Sequence, residues 1–481
     1  MNAFPNFIAG ARAPIADVAA SRNPSDTRDI VGEYAVASLE DVEQAIAAAA
    51  AAFPVWSRTN ALRRFEVLDR IGTEVLARAP ELGDLLAREE GKTLKEATAE
   101  IVRSGHLFKF FAAECYRATA EALPSVRDDI GLTVAREPIG VVGVITPWNF
   151  PAAIPAWKIA PALAYGNAVV FKPADIVPGT AWALSEIIVR SGLPAGAFNL
   201  VMGKGSVVGN AIVRSPRVAG VTFTGSTGVG KAMGHLLFER GARMQLEMGG
   251  KNPLVVLDDA PLDLAIDCAV QGAYFSTGQR CTASSRLIVT KGIHDAFVAG
   301  VSARLGSLRV GDARDPETEI GPVASEAQLA VDEHYLALGV AEGARLLTGG
   351  ERLARAGPGH YLAPALFVDT DNGMIINREE IFGPIATVIC ADGYEHALAL
   401  ANDTEQGLSS GIVTRDPRII RHFVAHAEAG MIQVNLPTAG MDFHAPFTGR
   451  KQAGYGPAEK GTYAREFFTS VKVVHQREPS F

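Results

Sequence analysis

Cys281 and Glu247 are the side chains of this sequence best equipped for covalent chemistry. The cysteine stands in Gly278-Gln279-Arg280-Cys281-Thr282-Ala283, the glutamate in Leu246-Glu247-Met248-Gly249-Gly250-Lys251. A thiol attacks as its thiolate, and with a pKa of about 8.5 only a few per cent is ionised at neutral pH. A reactive cysteine therefore needs a base, a cation or a helix N-terminus beside it. Arg280 is a cation that would favour the thiolate. Glu247 has apolar neighbours, which raise a carboxyl pKa and make a better base; a satisfied buried ion pair is its other reading. Gly249-Gly250 lets backbone pass close to a ligand. Asn149, in Thr146-Pro147-Trp148-Asn149-Phe150-Pro151, offers an NH2 donor on a stiff turn. With the Cys281 backbone N–H it would form an oxyanion hole, worth roughly 3–4 kcal/mol per donor in a dry site; alone it is an ordinary Asx-turn residue. Alone, Cys281 too would be a buried structural cysteine, as expected for Cys115, Cys268 and Cys390. Its neighbours argue otherwise.

Certain elements must position these groups. Ser38-Leu39-Glu40-Asp41 predicts a capped helix start, with Pro54 as the stop. Helical periodicity covers 61–90 and 94–121, and 131–137 alternates as a strand closed by Pro138. Apolar runs at 141–145, 168–171, 198–201 and 218–223 then alternate with helices near 180–190 and 207–213. That rhythm means a parallel sheet covered on both faces. Ligands of such sheets bind beyond the carboxyl ends of the strands, where Thr146, Lys172 and Gly225 fall. After Gly250 the rhythm resumes at 253–257, 286–289, 366–368, 386–389 and 411–413, as a second α/β domain. The tail, 467–475, alternates as a strand with no partner nearby in sequence and is expected to complete another subunit's sheet.

Thr224-Gly225-Ser226-Thr227-Gly228-Val229-Gly230 joins a strand to a helix, the place of a phosphate-binding loop, though its spacing is not G-x-G-x-x-G. Lys172 and Asp175 can grip a ribose through its hydroxyls, or be ordinary surface charges. In Glu379-Glu380-Ile381-Phe382-Gly383-Pro384, Glu380 can bind a second ribose while Phe382 packs on a nicotinamide; without context the run is a helix-to-loop turn. A chain of 481 residues has room for several cores, and 48% hydrophobic against 20% charged residues excludes a disordered chain. The net charge of -8 gives no reason to expect nucleic acid or an anionic membrane as partner. The apolar run at 45–53 is too short to span a bilayer. Four scattered cysteines, without CxxC or a Cys/His cluster, suggest neither a disulfide framework nor a metal site and suit a reducing compartment. Residues 1–20 lack the basic and apolar regions of a secretory signal, so a soluble, cytoplasmic protein is expected.

Five runs, in this order, resemble motifs of the NAD(P)-dependent aldehyde dehydrogenase superfamily: Thr146-Pro147-Trp148-Asn149-Phe150-Pro151, Phe223-Thr224-Gly225-Ser226, Leu246-Glu247-Met248-Gly249-Gly250-Lys251, Gly278-Gln279-Arg280-Cys281 and Glu380-Ile381-Phe382-Gly383-Pro384. The resemblance spans essentially the whole chain. It implies an α/β fold of two doubly wound parallel-sheet domains plus a β-strand oligomerisation segment. The NAD(P)-binding domain would cover 1–122 and 137–249, the catalytic domain 250–453, and the oligomerisation segment 123–136 and 454–481, giving a homodimer or homotetramer. Cys281 is implied as the nucleophile that forms a thiohemiacetal and then a thioester. Glu247 would activate the hydrolytic water, and Asn149 with the Cys281 N–H would hold the oxyanion. Thr146, Pro147, Trp148, Lys172, Asp175, Gly225, Ser226, Glu380 and Phe382 are implied as contacts of NAD or NADP. Asp175 departs from the glutamate usual in NAD-preferring relatives. The shorter carboxylate leaves room for a 2′-phosphate, so NADP or dual use stays open.

For the substrate, Arg280 suits an aldehyde with a distal carboxylate, with Phe150 as a further candidate contact and Phe443 and His444 bordering the mouth, a structural role being the other reading of His444. Trp157-Lys158 stands where succinate-semialdehyde relatives carry an arginine before the lysine. Residues 278–286 and 435–444 look most like family members that oxidise 2-oxoglutarate semialdehyde (2,5-dioxopentanoate) in bacterial sugar-acid breakdown. Succinate semialdehyde and a broad aldehyde range are the alternatives. CoA-acylating relatives generally lack a base matching Glu247. A non-catalytic protein on this fold would not need Cys281, Glu247 and Asn149 together.

Overall fold

Apolar alternation builds two large sheets. In the strand Val141–Ile145, Val142 and Val144 pack into one core while Val141 and Ile145 pack into another on the opposite face. Leu254 and Val256 separate from Val255 and Leu257 in the same way. Strands buried on both faces read as continuous apolar runs for this reason. The computed structural model describes residues 3–117 and 120–477. Among them, Val141–Ile145 lies inside an eight-stranded sheet. Ala168–Lys172 and then Phe198–Leu200 follow in parallel on one side, Val218–Gly225 and then Arg243–Met248 on the other. The winding reverses between Val141–Ile145 and Val218–Gly225, and a crevice opens beyond the carboxyl ends of two such strands.

The second sheet has seven strands. Asn252–Val256, Ser284–Thr290, Ile385–Ala391 and Ala365–Thr370 run parallel, with Ser409–Val413 and Met431–Val434 on the far side. Both sheets are parallel through their centres, as expected, with antiparallel additions. Phe7–Ile8, Gly454–Tyr455 and Arg345–Thr348 add antiparallel edges.

The helix at Ser38 starts as expected. Ser38 Oγ accepts from the Asp41 N–H (3.2 Å) while Asp41 Oδ2 accepts from the Ser38 N–H (2.8 Å). Pro54 does not stop it; the helix runs Leu39–Trp56. Proline removes one hydrogen bond in the last turn, but Trp56 is buried and its Nε1 donates to the Leu163 carbonyl (3.1 Å), holding that turn in place. The single helix expected over 61–90 is two, Ala61–Ala77 and Ala79–Glu90. Pro80, with no N–H to continue the first, sits in the opening turn of the second, where that N–H is dispensable. The next helix is Leu94–Glu114, shorter than expected. The far end of the expected stretch is claimed instead by the strand Ala120–Leu123, and residues 118 and 119 lie outside the described residues.

The tail does have a partner. Thr469–Arg477 pairs antiparallel with Ile130–Pro138 over nine residues, and Ala120–Leu123 takes the other edge of Ile130–Pro138. Gly454–Tyr455, at the head of the second stretch expected for oligomerisation, instead joins the first sheet beside Glu247. Asn167 ties the tail to that sheet. Fully buried, it accepts from the N–H groups of Ile139 (2.9 Å) and Gly140 (3.1 Å) and donates to the carbonyls of Ala162 (3.2 Å) and Phe468 (2.9 Å). Asn167→Ala leaves these groups buried without partners, a cost of roughly 2–4 kcal/mol. Thermal denaturation is expected several degrees lower, with faster proteolysis near Phe468; an unchanged melting curve would refute this anchoring role.

Candidate active site

Cys281 lies at the amino end of Ser284–Thr290, just after a loop in an unusual conformation. Ser276, Thr277 and Gly278 have left-handed φ values of 52°, 57° and 65°. Such a conformation costs a non-glycine residue roughly 1–2 kcal/mol, so the loop needs outside support. Glu96, in the helix Leu94–Glu114, supplies it by accepting from the Ser276 N–H (2.9 Å), Ser276 Oγ (2.9 Å) and Arg280 Nη2 (2.7 Å). A Cβ at Gly278 would lie 2.0 Å from the Gly383 carbonyl oxygen, so only glycine fits. Asn149 Nδ2 donates to the Gln279 carbonyl (2.9 Å) and Asn252 Nδ2 to the Cys281 carbonyl (2.8 Å). Arg280 thus belongs to the clamp, and its charge is matched by Glu96. Its guanidinium, expected to favour the thiolate, is not among the principal charge effects on the sulfur. The charges that act on the sulfur are chiefly those of Glu380 and Glu247.

Burial pushes the Cys281 thiol up to about 12, and the carboxylates of Glu380 and Glu247 add to the effect. Glu247 is held well above the usual carboxylate range, by burial first and the Glu459 carboxylate second, against Lys158 and Lys460. Its Oε2 is buried with no hydrogen-bond partner among the described residues. Beneath it runs a buried network in which Glu459 accepts from Trp157 Nε1 (2.6 Å) and pairs with Lys158, while Lys158 donates to Thr222 Oγ1 (2.8 Å). Glu380 folds against Gly249-Gly250, where the Gly250 N–H donates to Oε1 (3.0 Å) and a Cβ on Gly249 would lie 1.8 Å from the carboxylate. Burial raises Glu380 to about 7.

Two cavities meet at Cys281. The first, about 260 Å³, joins Asn149, Glu247 and Cys281 in one wall. Pro147, Trp148, Gly225, Ser226, Glu380 and Phe382 line the rest. Parts of this lining suit the anionic and aromatic groups of a dinucleotide. Ser226 precedes the helix Thr227–Glu239 without capping it by its side chain, leaving first-turn amides for an anion. The Thr146 and Thr224 hydroxyls are buried without partners among the described residues. Phe382 and Trp148 meet edge to face at 5.4 Å, offering an aromatic surface. Thr146 binds the Lys172 carbonyl through its N–H (3.2 Å). Lys172 is buried at its strand end, whereas Asp175 is exposed; neither lines this cavity.

The second cavity, about 190 Å³, is walled by Phe150, Trp157, Met441 and Phe447, with Arg280 at its edge. His444 is exposed and absent from this wall, so the expected substrate-mouth role is not supported. Its neighbour Phe443 stacks on His106 at 5.6 Å instead. Arg103, Lys460 and Glu96 are among the residues of this cavity that were not singled out from the sequence. Residues 96, 99, 100 and 103 all line it, and their spacing is one helix face. Charges on an otherwise buried face were the available signal. Lys460 had none, since it falls in a stretch read as an oligomerisation segment. Of the cysteines expected to be buried, Cys268 is, Cys115 is half-buried and Cys390 is exposed.

A family model described as "Aldehyde dehydrogenase family" matches residues 13–474. The chain belongs to the aldehyde dehydrogenase family. It is 42% identical over 477 residues, 98% of each chain, to the alpha-ketoglutaric semialdehyde dehydrogenase of Bacillus subtilis. It is 41% identical over 457 residues, 94% of this chain and 95% of the relative, to the 2,5-dioxopentanoate dehydrogenase of Saccharolobus solfataricus. Among solved structures, betaine aldehyde dehydrogenase from Staphylococcus aureus in complex with NAD+ superimposes with a TM-score of 0.96 at 32% identity, covering 99% of this chain and 96% of that one. The protein is an NAD(P)-dependent aldehyde dehydrogenase. In this aldehyde dehydrogenase the Glu247 charge opposes ionisation of Cys281. Glu247→Gln should therefore lower the pH midpoint of Cys281 thiolate formation, read at equilibrium by thiolate ultraviolet absorbance. A midpoint moved to higher pH would mean that the Glu247 charge does not oppose ionisation.

Proposed function

We propose that the enzyme oxidises 2-oxoglutarate semialdehyde to the corresponding acid through a Cys281 thioester. The observation that carries this reading is the meeting at one sulfur of a cavity lined by Trp148, Gly225, Ser226, Glu380 and Phe382 and a second cavity lined by aromatic residues and cations. The names of two relatives, at 42% and 41% identity, point to the same substrate. With the thiol protonated at neutral pH, Glu247 takes its proton as Sγ adds to the aldehyde carbon. The developing oxyanion is held by the Asn149 N–H not given to Gln279 and by the Cys281 backbone N–H. The bound nicotinamide supplies the acceptor for the hydride leaving that carbon. Glu247, having released the thiol proton to solvent, then removes a proton from the water that attacks the thioester; the C–S bond breaks, and the leaving thiolate takes the proton that Glu247 holds.

Lys172 and Asp175 are assigned to the adenosine ribose. Since the Asp175 carboxylate is short and exposed, both NAD and NADP are expected to serve. No helix among the described residues is long and apolar enough to cross a membrane, and with the scattered free cysteines this supports a cytoplasmic enzyme. Val471 and Val473, 56% and 53% exposed on the tail strand, support assembly into a homodimer or homotetramer.

Values of kcat/KM for 2-oxoglutarate semialdehyde, succinate semialdehyde and pentanal, each with NAD and NADP, test the substrate. A preference of about a hundredfold for the first, roughly 3 kcal/mol, is expected. Equal values would leave a general aldehyde oxidiser. Cys281→Ala should abolish turnover while cofactor affinity, read by fluorescence titration, stays within about twofold of the parent. Retained turnover would remove Cys281 from the mechanism.

A further inference from the structure

The second cavity holds more positive charge than its own carboxylates match. Four cations line it: Lys92, Arg103, Arg280 and Lys460. Lys92 is paired with Glu100 at 2.6 Å and Arg280 with Glu96 at 2.7 Å. Glu100 is further occupied by the N–H groups of Ala152 (2.9 Å) and Ala153 (3.0 Å). Among the described residues, neither Arg103 nor Lys460 has a carboxylate within 4.0 Å. Glu100 acts on Arg103, Glu459 on Lys460 and Asp442 on both, all beyond ion-pair contact; Glu100 and Glu459 are already paired with Lys92 and Lys158, and Asp442 is exposed.

Lys460 is built to keep its charge inside. It is 3% exposed, and its Nζ lies 5.2 Å from the ring centroids of both Trp157 and Phe447, with one hydrogen bond to the Asp442 carbonyl (3.2 Å). Cation–π contacts of this kind hold an ammonium without neutralising it. Its backbone is left-handed, with φ of 61°, and Gly461 follows at 54°, where a Cβ would lie 2.6 Å from the His444 carbonyl oxygen. A strained turn thus aims this side chain. Arg103 approaches from the helix Leu94–Glu114, close enough for its charge to disfavour the Lys460 ammonium; burial first, and this charge second, lower Lys460 to about 8. Two like charges gathered and desolvated beside a nucleophile are unfavourable until an anion joins them.

We propose that Arg103 and Lys460 form the subsite that holds the distal 2-oxo carboxylate of the substrate and set the preference for oxo-acid aldehydes over uncharged ones. This rests on the substrate reading above. Arg103 presents a planar fork suited to a carboxylate and its adjacent carbonyl, and Lys460 supplies a point charge against the aromatic wall. Arg280, given that role from the sequence, positions the cysteine loop instead.

The test compares kcat/KM for 2-oxoglutarate semialdehyde and for pentanal in the parent enzyme and in Arg103→Met, Lys460→Met and Arg280→Leu. It adds the inhibition constant of 2-oxopentanoate, which carries the oxo acid without the aldehyde. In each methionine variant the ratio of the two kcat/KM values is expected to fall about a hundredfold, with a parallel rise in the inhibition constant. Arg280→Leu should lower both substrates together. A parent enzyme without the preference overturns the substrate reading itself. A preference that survives both methionine variants, or is lost only in Arg280→Leu, overturns the subsite alone. Arg103→Lys covers a methionine variant that fails to fold: it keeps the charge and loses the fork. There a ratio about tenfold lower supports the subsite, and an unchanged one overturns it.

Discussion

The chemistry of this enzyme depends on a loop that would not hold its own shape. Ser276 and Thr277 sit in the left-handed region before Gly278, and the energy stored there must be offset by the surroundings. The offset comes from one helix. Glu96 takes three hydrogen bonds from the loop, and one turn further on Glu100 caps the backbone after Asn149 and pairs with Lys92, whose Nζ donates to the Asn149 carbonyl (2.6 Å). The nucleophile and the oxyanion donor are thereby referenced to the same rigid element. Donors fixed before the reaction need no reorganisation when charge develops, the source of their value in a dry site.

Electrostatics at the site run against the simplest picture of an activated cysteine. The Lys460 charge favours the thiolate, but burial and two carboxylates outweigh it and raise the thiol. Reactivity then has to come from a neighbouring acceptor, and the same burial that holds the thiol protonated makes Glu247 basic enough to take the proton. The Glu459–Lys158 pair lies below that carboxyl, and the Glu459 charge helps to keep it high while being satisfied itself. The cavity of opposite sign lies on the other side of the sulfur. A site that is negative toward the base and positive toward the substrate tail orients an anionic aldehyde before any covalent step.

Between the two sheets there is an asymmetry of direction. The first presents the carboxyl ends of its strands, with the Asn149 turn after Ile145, Gly225 at a strand end and Glu247 near the end of Arg243–Met248. The second presents amino ends, with Cys281 before Ser284–Thr290 and Phe382 before Ile385–Ala391. The usual rule for ligand sites at carboxyl ends holds only for the half that suits the dinucleotide. The other half delivers its groups on the approaches to its strands, where loops are fixed by contacts from the first half.

Much was legible in the amino-acid sequence because it is local. Strand runs such as 141–145 and 253–257 are continuous apolar stretches, Ser38-Leu39-Glu40-Asp41 caps itself, and Cys281, Glu247 and Asn149 each sit in a short run distinctive in its own composition. What stayed out of reach was set by contacts between residues far apart in the chain. Trp56 packing carries a helix through Pro54, and a distant strand, Ile130–Pro138, claims the tail. Which cation answers to which carboxylate is equally non-local. Arg280 stands beside the nucleophile in sequence, yet Glu96, 184 residues away, takes its charge. Arg103 and Lys460 carry no such signal, and only the folded chain brings them together around one cavity. Sequence spacing governs what a segment does by itself; charge balance in a buried site is a sum over neighbours, and neighbours are decided by the tertiary fold.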